Sequence, residues 1–168
     1  MTKSNLTNCR PGVRCTRTGF EGLTLIEVLV VISILSLLVS IALPSYSEHV
    51  ARARRADART QLLQVAQFMQ RFYAANDNYE TDRAGNGVRT QIPANLLKSP
   101  ADSEAIYTLE IPVLTLTRSN FEIHMKPVAT GPMASDKCGT FALSSLGARS
   151  VIVDGVLNTA ALRDSCWK

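Results

Sequence analysis

The chain has 168 residues, 46% of them hydrophobic and 19% charged, with a formal net charge of +4. That length suits one modest domain plus appendages. The charge does not argue for a nucleic-acid-binding domain: of 18 basic residues four (Lys3, Arg10, Arg14, Arg17) precede Gly22, with only Glu21 of the 14 acidic ones, so residues 23–168 are nearly neutral.

Residues 1–22 are polar and basic, are broken by Pro11, Gly12 and Gly19, and read as a leader. Cys9 and Cys15 lie in it without the histidine or second cysteine pair that a metal site requires. An apolar run follows over 23–43 in which Glu27 is the only charge. At 1.5 Å per residue, about twenty residues cross the roughly 30 Å hydrocarbon core of a bilayer. A secretory signal has a shorter apolar run, with the cleavage site after it. Here the natural cut precedes the run, so the hydrophobic helix stays with the product. A carboxylate within such a run costs about 2.5 to 3.5 kcal/mol on insertion scales, which marks Glu27 as a functional candidate. Thr24 and Glu27 also fit a helix-start capping box.

Pro44 is expected to kink the helix or loosen a turn without necessarily ending it. Beyond it, Leu62, Val65, Ala66, Met69, Phe72 and Tyr73 recur at three- and four-residue spacing, which predicts an amphipathic helix. Arg52, Arg55 and Arg59 share another face. The helix is expected to stop at 76–78, Asn-Asp-Asn, and 79–104 to form an irregular connection. Alternation then predicts strands at Tyr107, Leu109 and Ile111, and at Phe121, Ile123 and Met125, with weaker runs at Phe141 and Leu143 and over 151–153. One long helix, a loop and an antiparallel sheet covering the apolar face of the helix make an α+β fold. Cys138 and Cys166 would pair in an exported domain and stay buried thiols in a reducing one. Basic residues flank the apolar run on both sides, so positive-inside counting leaves its orientation open. His49, His124, Ser144, Ser145 and Asp154 have no catalytic context, and no catalytic, cofactor or metal site is expected.

Gly22, Leu23, Thr24, Leu25, Ile26 and Glu27, set between a basic leader and an apolar run, resemble the cleavage and methylation signal of type IV prepilins. The resemblance implies that a dedicated prepilin peptidase cuts between Gly22 and Leu23 and methylates Leu23, although the family most often has Phe there. It implies that Glu27 meets the N-terminal amine of a neighbouring subunit and sets assembly register, with Thr24 beside it. The leader would be cytoplasmic and the head outside. The run 54–58, Gln67 to Tyr73, 99–102, 107–109, 136–140 and the closing Cys166 and Trp167 resemble PilE-like minor pilins. That likeness implies a lollipop architecture closed by a Cys138–Cys166 bridge. The expected organisation is a leader at 1–22, a membrane-spanning and filament-core helix at 23–46, and a globular head at 47–168. The expected partners are other major and minor pilins, the prepilin peptidase, an inner-membrane assembly platform and the inner membrane itself. The expected function is that of a minor subunit of a pilus for twitching motility and adhesion. A type II secretion pseudopilin is the alternative. A DNA-uptake pilin using Arg52, Arg54, Arg55 and Arg59 ranks behind both, and nucleic acid is not an expected partner.

Overall fold

The computed structural model describes residues 24–168, apart from the side chains at 41, 42, 44 and 45. Gly22, Leu23 and the whole leader lie outside the described residues. The chain divides into two compact units, Met1–Leu43 and Pro44–Lys168. Helix α1 spans Leu25–Asn76, and its helical assignment runs through Pro44, where the units meet.

In the first unit, the Leu25 to Val39 side chains face outward, Leu25 84% and Ile26 70% exposed. Ser33 and Ser36 donate their hydroxyls to the carbonyls of Leu29 and Ile32, and Ser40 to that of Leu37. This back-bonding satisfies polar groups that the apolar run cannot serve otherwise. Among the described residues no helix is long and apolar enough to cross a membrane. The run read from the sequence also includes Leu23 and the side chains of Ile41 and Ala42, which lie outside the description.

The second unit owns a core. From α1 it takes Leu62, Val65, Met69 and Phe72 of the predicted three- and four-residue stripe, and with them Ala58 one turn earlier, all buried. Ala66 and Tyr73 are only partly buried against it. The sheet has six strands in antiparallel, nearest-neighbour order: β1 Lys98–Ser99, β2 Tyr107–Glu110, β3 Glu122–Pro127, β4 Thr140–Ser144, β5 Arg149–Val153 and β6 Val156–Leu157. Its inner face gives Tyr107, Ile123, Met125, Phe141, Leu143 and Val151 to the core. Burial therefore follows the period-2 alternation in β3, where Ile123 and Met125 point in and Lys126 points out.

Helix α1 ends where expected: Asp77 takes a left-handed conformation (φ 54°), and its N–H closes on the Tyr73 carbonyl. The connection at 79–104 is more ordered than its composition suggests. It holds two 3₁₀ turns, Val88–Thr90 and Ala94–Leu96, and the edge strand β1, and it sends Tyr79, Val88, Ile92 and Leu96 into the core. A second helix, α2 at Ala160–Cys166, closes the chain.

Candidate functional site

Two regions carry the features singled out in the sequence. At the start of α1 the Thr24 hydroxyl accepts the Glu27 backbone N–H at 3.2 Å, while the Thr24 carbonyl takes the first helical bond, from Val28. Thr24 is thus an N-cap. The Glu27 side chain is exposed and in the first helical turn, where a negative charge is favoured by the helix dipole. Gly22 and Leu23, the expected cleavage point, lie outside the described residues.

The other region is the C-terminal closure. Cys138 and Cys166 are joined, with Cα atoms 5.8 Å apart, across a separation of 28 residues. Beside the bridge, the buried Arg55 guanidinium meets the Asp136 carboxylate through Nε at 3.0 Å and Nη2 at 2.5 Å, and Glu48 at 3.2 Å through Nη1. Asp136 also accepts the Cys138 N–H, so one carboxylate orders both the helix contact and the cysteine turn. The hydrogen bond to Asp136 pushes the Arg55 guanidinium up from its ordinary range, and the Arg55 bond holds the Glu48 carboxyl below its own. Arg59 donates to the carbonyls of Cys166 and Lys168. Burial, with Arg55 and Arg149 nearby, pushes it down.

These contacts correct the sequence reading of the four arginines at 52, 54, 55 and 59 as one set. Arg55 is an internal clamp and Arg59 a tether for the C-terminal backbone, while Arg52 is exposed and Arg54 half-buried. His124 is half-buried and 3.1 Å from Glu122.

A groove between α1 and the β4–β5 turn is not foreshadowed by any pattern in the sequence. Its volume is about 520 Å³, with Ala66, Phe121 and Leu143 among its lining residues and Gln67 and Gln70 on the helix side. Arg71 and Arg149 line it too. Arg149 lies 5.3 Å from the Trp167 ring centroid, a cation–π distance. Trp167 is itself fixed, its ring edge-on to Phe141 and its indole N–H donating to the Ser150 carbonyl. The hint in the sequence is Trp167 next to a cysteine, which gives no direction for the partners of its ring, Phe141 and Arg149.

A capped helix with a lone acid in an apolar segment, leading into a disulfide-closed α+β head, defines the class of type IV pilin filament subunits. Residues 17–43 match the family described as "Prokaryotic N-terminal methylation motif", and residues 44–142 match that described as "Type IV minor pilin ComP, DNA uptake sequence receptor". The chain belongs to this family of type IV minor pilins, which are structural proteins. It is similar to the fimbrial protein EcpC of Eikenella corrodens, at 29% identity over 85 residues. That match covers 51% of this chain and 56% of the relative, so the chain spans little more than half the length of the curated protein it matches. Among solved structures, it is similar to the non-core minor pilin PilV of Neisseria meningitidis (21% identity, 60% of this chain and 85% of the other, TM-score 0.42). A type IV pilin of Shewanella oneidensis gives 28% identity over 58% of this chain and 88% of the other, at a TM-score of 0.38. Membership with the N-terminal motif implies membrane anchoring before residence in a pilus, and processing by a prepilin peptidase.

Proposed function

We propose that the precursor inserts with its leader in the cytoplasm, is cut between Gly22 and Leu23, is methylated on Leu23, and is drawn by an inner-membrane assembly platform into a pilus. Residues 23–46 form the membrane span and then the filament core, and the head at 47–168 lies outside, in the service of twitching motility and adhesion. The observation that carries this reading is the exposure of the apolar residues from Leu25 to Val39, half or more of most side chains, next to a head that has a full core of its own. Burying such side chains is worth about 25 cal/mol per Å², so the segment requires lipid or neighbouring helices. Glu27 supplies register by pairing with the N-terminal amine of the next subunit, since an unpaired charge in an apolar core is expensive. The pseudopilin alternative gains nothing from the matched family, whose description is of a minor pilin.

The test is non-reducing intact mass on sheared surface filaments and on membranes. A species starting at Leu23, one methyl heavier and two hydrogens lighter, among sheared filaments is the expected result. Retention of residues 1–22 would overturn the proposal, and a mature species confined to membranes would favour a pseudopilus or a priming role.

DNA capture is a second reading, and the description of the matched family as a DNA uptake sequence receptor favours it. With Arg55 and Arg59 engaged internally, Arg52 and Arg54 are, of the four arginines between 52 and 59, the two with neither an ion pair nor a bond to the C-terminal backbone among the described residues, and they are the ones that would meet phosphates. Replacing both by Gln should lower duplex affinity and flatten its dependence on log salt by about 1.8, roughly 0.9 per lost contact. An unchanged slope would remove these arginines from any DNA contact.

A further inference from the structure

The groove at the α1 and β4–β5 seam is unexplained by cleavage, register or the disulfide closure. Its floor is apolar, and Leu63 at its edge is 41% exposed on a helix face that the head leaves open. Arg71 and Arg149 have no carboxylate partner among the described residues, and Arg149 is steadied by Trp167. The chain also carries the complement. The loop joining β1 to β2 exposes Asp102 and Glu104, neither of which is ion-paired among the described residues; the Lys98 ammonium at its base donates to the Ser103 carbonyl instead, and Glu110, at the far end of β2, is matched by Lys126.

The sheet separates these two features. Strands β1 and β2 form one edge and β5 and β6 the other. Register places Tyr107 opposite Pro127, and Glu122 opposite Ser144. The loop entering β2 at Tyr107 is therefore at the opposite end of the sheet from the β4–β5 turn at 145–148. Diagonally opposed, complementary patches cannot satisfy one another within one head. They suit a head-to-tail contact, which leaves a free patch at each end and so propagates.

We infer that this groove is a subunit docking site whose occupant is the acidic β1–β2 loop of a second copy of this chain. The inference rests on the reading of the chain as a pilus subunit. In the docked pair, Asp102 and Glu104 meet Arg71 and Arg149, and the loop's small residues Ala101, Ser103 and Ala105 lie on the apolar floor. Gln67 offers its side-chain amide to the loop backbone, while the Gln70 amide is held by the Ser145 carbonyl and the Tyr79 hydroxyl. An apolar floor fits a protein loop better than a phosphodiester backbone, whose contacts are dominated by charge and retain water.

The experiment uses the full-length protein in membranes, with Gln67→Cys and Ser103→Cys introduced together to report the contact by oxidative cross-linking. Efficient intermolecular cross-linking is expected. Adding Arg71→Glu with Arg149→Glu should reduce its yield more than about tenfold, because like charges then face each other. Asp102→Lys with Glu104→Lys should do the same. A chain carrying all four reversals is complementary again and should recover most of the yield. Fluorescence of the single tryptophan reports whether each variant keeps its fold, and Arg71→Glu alone serves if the change at Arg149 disturbs it. Native cross-linking in either reversed pair, or no recovery in the combined chain, would overturn the docking site. Loss of duplex DNA binding with the arginine reversals, without recovery of cross-linking in the combined chain, would assign the groove to nucleic acid instead. The mature mass in sheared filaments is read on the unmodified chain, so failure of the pilin reading is seen separately.

Discussion

Gly139 follows directly on the bridged Cys138 and adopts φ +52°. A β-carbon there would stand 2.5 Å from the Ile152 carbonyl oxygen and 3.1 Å from Val153 Cγ2, so the turn and strand β5 have closed onto a bare α-carbon. Gly139→Ala should cost at least about 1 to 2 kcal/mol from the left-handed backbone alone, and more from the overlap with backbone atoms that cannot rotate away. Denaturant unfolding under non-reducing conditions would measure it. A loss below half of that range would mean that the turn relaxes. Tyr107 is the opposite case. It is fully buried, its hydroxyl has no hydrogen-bond partner among the described residues, and burial pushes its titration upward. Since an unpaired buried polar atom costs about 1 to 3 kcal/mol, Tyr107→Phe should leave stability unchanged or raise it. A loss above about 1 kcal/mol in the same unfolding assay would show that the hydroxyl is satisfied in solution.

At the scale of elements, the head is held by its buried apolar layer and by one polar clamp. Side chains of Arg55 and Asp136 are 7% and 8% exposed, and they join α1 to the cysteine turn. Breaking a buried pair by removing one partner costs about 3 to 5 kcal/mol, because the other charge is left stranded. Asp136→Asn leaves Arg55 with only the more exposed Glu48 and should therefore destabilise the head by up to about that amount, as seen in the thermal or denaturant midpoint, even with the disulfide intact. Glu48, the outer member of the cluster, adds a dependence on pH. Its carboxyl is held low by Arg55, so its contribution is present above the ordinary carboxylate range and is lost as pH falls through the depressed value. Glu48→Gln should thus unfold at acid pH with a smaller loss, relative to neutral pH, than the native chain; equal losses would remove Glu48 from the acid response. Helix α1 and the inner strands were legible because periods of 3.6 and 2 run through them for several residues. The edge strands β1 and β6 have two residues each, too few for any period to register. Helix α2 was hidden for a related reason: its seven residues bury only Cys166, so no apolar stripe marks it. The division of labour among Arg52, Arg54, Arg55 and Arg59 was also illegible. Spacing put three of them on one face, but only the position of Asp136, 81 residues after Arg55 in sequence, decides which is internal.

At the scale of the whole molecule, the two units ask for different surroundings. The head's large apolar side chains are mostly interior and those from Leu25 to Val39 are not, so residence in a membrane and then in a filament is a requirement of the first unit alone. Glu27 is where that requirement meets specificity, and two roles for it can be separated by one atom-scale change. As a helix-start residue, its described contact is the backbone N–H bonded to the Thr24 hydroxyl, and a capping box accepts Gln as well as Glu. As the register residue, it needs the negative charge. Glu27→Gln should therefore leave the head's unfolding midpoint and the proposed cut after Gly22 unchanged, while the mature chain falls more than about tenfold in sheared filaments, the least expected from an unpaired amine in an apolar core. Mass spectrometry of membrane and sheared fractions reads both quantities in one preparation. Normal incorporation of the Gln variant would reduce Glu27 to its helix-capping role and leave register to the packing of the apolar side chains and to contacts between heads.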